Sequence, residues 1–294
     1  MANGNSKRET GSMTKSYILT LSCVDRIGLV AAVSGALSQN NGNIIDAHQF
    51  NDKATEMFFM RVVFDSDKPT AELSEELGKV MSDIQAEWKL AESAHRQRVL
   101  LLVSKLDHCL VDLLYRCRIG ELPMEVVGII SNHPGSARKM LTQEVRFWYL
   151  PVTPDTKAEQ EAQIKAIVNE TQTDLVVLAR YMQILSEDLC GFLSDRCINI
   201  HHSFLPGFKG ARPYHQAHAR GVKMIGATAH YVTGDLDEGP IIHQDVERVG
   251  HADTPDDLVR KGRNIEQRVL SRGVLYHLER RVFRNGNKTV VFSD

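Results

Sequence analysis

The chain has 294 residues, of which 43% are hydrophobic and 24% charged, with a formal net charge of -2. This length allows two domains and the composition is that of a soluble globular protein, while the charge leaves no electrostatic footprint for nucleic acid or an anionic membrane. Five cysteines (Cys23, Cys109, Cys117, Cys190, Cys197) make an odd count without C-x-x-C spacing, which favours a reducing compartment over a disulfide framework. No apolar run nears the ~20 residues of a membrane span, and residues 1–15 lack the apolar centre of a signal peptide. The expectation is a cytoplasmic metabolic protein with no nucleic-acid or membrane partner.

Residues 17–24, YILTLSCV, alternate as a strand does. Asp25 is expected to cap a helix, and Gly28 near its start lets a ligand or backbone approach. Ile27, Val30, Val33, Ala36 and Leu37 fall at helical spacing, and Asn40-Asn41-Gly42 ends that helix. Residues 43–50 and 56–65 read as a strand pair. Leu73, Leu77, Val80, Met81, Ile84 and Trp88 form the stripe of a second helix, and a short edge strand follows near residues 88–92. The order β-α-β-β-α-β over residues 15–95 is the ferredoxin-like pattern. The DRIGLV and NNGNI segments resemble an ACT domain. That resemblance implies association of subunits into a homo-oligomer and an amino-acid effector, glycine or methionine, at Asp25, Gly28, Leu29 and Asn43; alternatively Asp25 and Gly28 only shape the turn.

After the polar linker ESAHRQ, residues 98–103 (RVLLLV) read as a buried strand of a second domain, 98–294. Ser104 to Cys109 leads into a helix carrying Leu110, Leu113 and Leu114. Further strands are expected at 124–130, 145–150 and 174–178, with a short helix after His133-Pro134-Gly135. Thr156-Lys157-Ala158-Glu159 matches a capping box for a helix to about Glu170. Alternating strands and helices predict a Rossmann-like, mainly parallel α/β sheet, with ligands beyond the carboxyl ends of its strands. Thr254-Pro255 opens a long helix to about Arg281, and Val290 to Phe292 reads as a final edge strand.

The chemistry concentrates in residues 197–240. In the strand Asn199-Ile200-His201, Asn199 and His201 share one face and His202 is expected on the other. A loop with Pro206, Gly207, Gly210 and Pro213 follows, then a strand over about 222–232 and the acidic turn Gly234-Asp235-Leu236-Asp237-Glu238-Gly239. Asp235 is read as the residue that forms this turn. An amide, an imidazole and a carboxylate thus meet at one sheet end, a set suited to chemistry on a carbonyl. There is no G-x-G-x-x-G, P-loop or G-x-S-x-G. His201, His202, His230 and His243 lack the H-E-x-x-H or cysteine-pair context of zinc, so no metal is expected.

The runs NIHHSFLPGFKGA and GATAHYV…LDEGPII, with LARYMQILS at 178–186, resemble the folate-dependent formyltransferases. With SKLDHCL after the first strand and the ACT-like unit ahead, the chain is more narrowly similar to the formyltetrahydrofolate deformylases. That resemblance implies hydrolysis of 10-formyltetrahydrofolate, bound as substrate with no tightly held cofactor, to tetrahydrofolate and formate, and a place in one-carbon balance and purine synthesis. It implies that Asn199 donates to the formyl oxygen as it becomes an oxyanion. His201 stabilises that oxyanion or relays a proton to N10, and Asp237 holds the imidazole and helps take the proton from water. Met182, Gln183, Ile184, Leu185, His230 and Gly234 are expected to contact the folate, Lys105 and His108 to line the water and formyl pocket or simply to shape the turn, and Lys209 and Arg212 to meet the anionic tail or form a solvated face. The turn Ser104-Lys105-Leu106-Asp107-His108 has no glycine, and Asp107 repels phosphate, so it lacks the phosphate-binding character of a ribonucleotide transformylase. A formyltransferase with an unidentified acceptor and a silent folate or amino-acid sensor remain as alternatives.

Overall fold

The protein, a computed structural model, is described over residues 14–134, 145–204 and 213–293. Two compact units divide between His95 and Arg96. The first contains β1 (Lys15–Val24), α1 (Leu29–Gln39), β2 (Asn43–Asp52), β3 (Met57–Ser66), α2 (Thr70–Asp83) and β4 (Glu87–Glu92). Its antiparallel sheet has the order β2-β3-β1-β4. One face is covered by both helices, whose Val33, Leu37, Leu73, Leu77 and Met81 pack on Leu19, Leu21, Val62 and Phe64.

Three local expectations need correction here. The N-cap of α1 is Gly28, at φ 95°, and no side chain caps that end. Only glycine holds this left-handed conformation without steric cost, so the chain uses backbone geometry where Asp25 was expected to cap. The buried seam of α1 runs through Leu29, Val33, Ala36 and Leu37, whereas Ile27 precedes the helix and is fully exposed. Trp88 belongs to β4, beyond the end of α2.

The second unit runs β5 (Gln97–Val103), α3 (His108–Arg118), β6 (Met124–Ser131), β7 (Phe147–Tyr149), α4 (Lys157–Glu170), β8 (Leu175–Leu178), α5 (Glu187–Phe192), β9 (Cys197–His201), α6 (Pro213–Ala219), β10 (Met224–Tyr231), β11 (Ile241–Arg248), α7 (Pro255–Leu278), β12 (Val282–Asn285) and β13 (Lys288–Val291). Its main sheet has the order β11-β10-β9-β8-β5-β6-β7. Strands β9, β8, β5, β6 and β7 are parallel, and β10 is antiparallel to both neighbours. Leu100, Leu102, Val176 and Leu178 face one apolar layer, while Val99, Leu101, Val103 and Val177 face the other. Burial on both faces explains why these strands read as unbroken apolar runs.

The helix start at Thr254 forms a true capping box: its hydroxyl accepts from Asp257 N, and the Asp257 carboxylate accepts from Thr254 N. Thr156 does not cap α4, because its hydroxyl is taken by Thr153 N at 2.9 Å. Strand β13 pairs with β12 in a separate two-stranded sheet instead of extending the main one. Strand β11 and helices α5 and α6 were not foreseen. They are short or carry polar residues through half-buried positions, so hydrophobic period is a weak signal for them. The helix expected after His133 and the loop bearing Pro206, Gly207, Lys209, Gly210 and Arg212 lie outside the described residues.

Candidate active site

The register of β9 against β10 places Asn199 opposite His230. His230 Nδ1 lies 2.9 Å from the Tyr231 carbonyl oxygen, and Asn199 Nδ2 lies 3.3 Å from His230 Nε2. A carbonyl can only accept, so Nδ1 carries the proton. Burial lowers the pKa of His230 and keeps the ring neutral, leaving a lone pair on Nε2. The Asn199 amide therefore donates one N–H to His230 and retains a second for a ligand. Asp237 Oδ1 lies 3.7 Å from the same Nε2; with the ring in this tautomer the two face each other as acceptors, and no ion pair forms.

Asp237 instead holds His201, with Oδ2 3.1 Å from Nδ1. The hydrogen bond from His201 is the main reason the Asp237 carboxyl lies below its ordinary range, outweighing burial. The ionised carboxylate accepts the Nδ1 proton, which leaves the lone pair of His201 on Nε2. That atom is buried and has no hydrogen-bond partner among the described residues.

The turn that brings Asp237 here is constrained. Asp237 itself occupies the left-handed region at φ 57°, a conformation aspartate tolerates better than most residues. Glu238 N donates to the Asp235 carbonyl at 3.3 Å, so Asp235 takes part through its backbone and the unusual dihedral falls two residues later. A Cβ on Gly239 would sit 1.8 Å from Tyr231 O. Only glycine lets the acidic turn pass this close to β10.

His202 departs from expectation. Strand alternation puts it opposite His201, yet the rings stack with centroids 5.0 Å apart and an interplanar angle of 19°. Strand β9 ends at His201, and alternation lapses with it. Burial, then Arg180 and His201, lower the His202 pKa from 6.5 to about 4. The unfolded chain therefore takes up a proton near pH 6.5 that the folded chain refuses until about pH 4. The stability held by the neutral ring is present above pH 6.5 and is lost as pH falls toward 4, on the order of 2–3 kcal/mol. Urea titrations at pH 7, 5.5 and 4 are expected to show a shallower acid decline for His202→Gln than for the parent.

Beside these groups a small, open cleft is lined by Gln183, Ile184, Leu185, Asn199, His230, Gly234 and Asp237. Met182 and Ile184 are 55% and 61% exposed, so neither is core, and a planar ligand has access to both. The Met182 N–H donates to Ser104 Oγ at 2.9 Å, tying this segment to the end of β5. Lys105 is exposed in the turn after β5. In the first unit, Asp25 and Asn43 are exposed, but the Leu29 side chain is 3% exposed and packs in the core.

A second polar group went unforeseen apart from His108. Glu266, on α7 and 1% exposed, has Oε2 2.7 Å from His108 Nε2 and 3.3 Å from Arg180 Nε, while Tyr214 OH donates to Oε1 at 2.7 Å. The Arg180 contact is electrostatic, since Nε is not aligned for a hydrogen bond. Burial pushes the Glu266 pKa up, but His108, Arg180 and Tyr214 together bring it below the ordinary value. The signal was an acidic residue within the apolar stripe of α7, between Ile265 and Val269. His108, Cys109 and Glu266 lie close enough to share a cation. However, Arg180 already balances Glu266, and burial raises the Cys109 thiol well above its usual pKa, so these groups are organised as a hydrogen-bonded network.

The formyl transferase family model matches residues 97–274 and the ACT domain model matches residues 17–80. The formyltetrahydrofolate deformylase of Corynebacterium sp. (strain P-1) is 46% identical over 278 residues, covering 94% of this chain and 97% of that protein. The chain belongs to the formyltetrahydrofolate deformylase family. A crystal structure of the family member from Burkholderia mallei matches with a TM-score of 0.91 at 50% identity, covering 95% of this chain and all of the other. The glycinamide ribonucleotide transformylase 1 of Symbiobacterium toebii matches 70% of this chain and 98% of its own, with a TM-score of 0.63 at 30% identity. The deformylases thus cover both units, and the transformylase covers an extent close to that of the second.

Proposed function

We propose that the protein hydrolyses 10-formyltetrahydrofolate to tetrahydrofolate and formate. The observation that carries this reading is the convergence of Asn199, His201 and Asp237 beside the Gln183–Leu185 cleft, in a chain similar over nearly its whole length to deformylases. The free N–H of Asn199 donates to the formyl oxygen as it gains negative charge. His201, oriented by Asp237, uses its Nε2 lone pair to relay a proton to the departing N10. Met182, Gln183, Ile184 and Leu185 flank the pterin, with His230 and Gly234 beside them. Substrate is the only folate species this chemistry needs, and water is the acceptor.

The first unit serves association and amino-acid sensing, with glycine or methionine as effector. Ile45 and Phe50 on the edge strand β2 are 58% and 45% exposed, an apolar edge that a second copy would cover. Sedimentation with and without each amino acid tests both roles, and an unchanged monomer in all conditions removes them. No helix among the described residues is long and apolar enough to cross a membrane, which suits a cytoplasmic enzyme.

The decisive experiment is formate release from 10-formyltetrahydrofolate by the purified protein with no amine acceptor present. Release at a rate proportional to enzyme is expected. Release only after an acceptor is added would assign a transferase, and none under either condition would leave a sensor.

A further inference from the structure

We infer that His108, oriented by Glu266, takes the proton from the attacking water. This deepens the hydrolytic reading and rests on it. His108 is the first residue of α3, directly after the turn at the carboxyl end of β5. Two consecutive residues of α7 hold it: Glu266 binds the ring at Nε2, and Gln267 Nε2 donates to the His108 carbonyl at 3.0 Å. The ionised Glu266 can only accept, so the proton of a neutral His108 sits on Nε2 and the lone pair on Nδ1. Nδ1 has no hydrogen-bond partner among the described residues. The side chain is 13% exposed while its carboxylate partner is 1% exposed. An imidazole with one nitrogen tied to a buried carboxylate and the other left accessible is the arrangement of a general base.

Its place in the sheet fits that task. Strands β9, β8 and β5 are neighbours, so the His201 and His108 strand ends stand roughly 10 Å apart at the usual strand spacing. Both ends lie at the carboxyl edge of the parallel strands, the edge where ligands of such sheets bind. The Arg180 carbonyl accepts from Ser104 N at 3.2 Å, which joins the loop after β8 to the turn that carries His108. His202, stacked on His201, feels the charges of both Arg180 and Glu266, so the two polar groups adjoin through it. Glu266 is a positioning residue and Tyr214 fixes its other oxygen. Gly262 lets that phenol lie against α7, since a Cβ there would meet Tyr214 Cζ at 2.1 Å.

The step balances without any further reactant. As the water oxygen bonds to the formyl carbon, one water proton passes to His108 Nδ1 and the carbonyl electron pair moves onto the oxygen held by Asn199. His201 Nε2 takes the remaining hydroxyl proton and passes it to N10 as the C–N10 bond breaks. Formate and tetrahydrofolate leave, and His108 returns its proton to solvent.

The test measures acceptor-free formate release by full-length His108→Ala and Glu266→Gln proteins. His108→Ala is expected to lose about 100-fold in kcat with the folate KM within threefold, the lower end of a general base's contribution. Added imidazole is expected to restore about tenfold, a response that a purely structural role would not give. Glu266→Gln keeps the size of the side chain and removes its charge; about tenfold lower kcat with unchanged KM is expected, and its circular dichroism spectrum should match that of the parent. His108→Ala turnover within threefold of the parent overturns the assignment, as does a loss that imidazole does not relieve. In either case parental formate release leaves the hydrolytic function standing. No release by the parent removes the function, and this inference with it.

Discussion

Asp237→Asn is expected to lower kcat by about 10³- to 10⁴-fold, the scale seen when the carboxylate that orients a catalytic imidazole becomes an amide. The carboxylate at 3.1 Å from His201 Nδ1 holds the proton on that nitrogen and leaves Nε2 as the basic atom. An asparagine offers either an oxygen without the charge or an N–H that reverses the imidazole tautomer. In the second case Nε2 carries the proton and cannot collect another from the intermediate. The fold is expected to survive, because Asp237 sits at φ 57° and asparagine tolerates that region as well as aspartate does. The folate contacts proposed above centre on the 182–185 segment, so KM is expected to change little. Steady-state kinetics, with melting temperature as the fold control, check this; kcat within threefold of the parent would exclude His201 as the proton relay.

Asn199→Ala is expected to cost about 10²- to 10³-fold in kcat, the usual loss for one oxyanion donor. The reason is directional. His230 is locked by its bond to the Tyr231 carbonyl and accepts one amide hydrogen of Asn199, so the second hydrogen points in a direction set before substrate arrives. A donor aligned in advance needs no reorganisation when charge develops on the formyl oxygen. Asn199→Asp is the sharper variant: its carboxylate repels the oxyanion and favours a proton on His230 Nε2. Its turnover should fall below that of Asn199→Ala. Equal or greater activity in Asn199→Asp would show that the amide is not the oxyanion donor.

Much of the site is legible along the chain because its parts are local. Asn199 and His201 lie two residues apart on one strand, and strand alternation alone places them on one face. The glycine-bounded turn carrying Asp237 follows the next strand within a few residues. The same logic fails one residue later, at His202, because β9 has ended and the pleat no longer dictates direction. It fails again at Thr156, where a neighbouring threonine competes for the hydroxyl that the capping pattern assigns to α4. In α1 the periodic apolar set began at Ile27, but a glycine at φ 95° starts the helix later and shifts the buried seam to Leu29.

Chain-local rules, in which side-chain period, caps and turn residues act over a few positions, determined the two-domain α/β architecture and the amide–imidazole–carboxylate set. Tertiary structure alone decided which imidazole Asp237 would hold, that the Asn199 amide would meet His230, and that Glu266 would join His108, Tyr214 and Arg180 at one point. Those contacts link residues 31 to 158 positions apart. Hydrogen-bond direction and the balance of buried charge depend on atoms that meet only when strands, helices and turns have packed together.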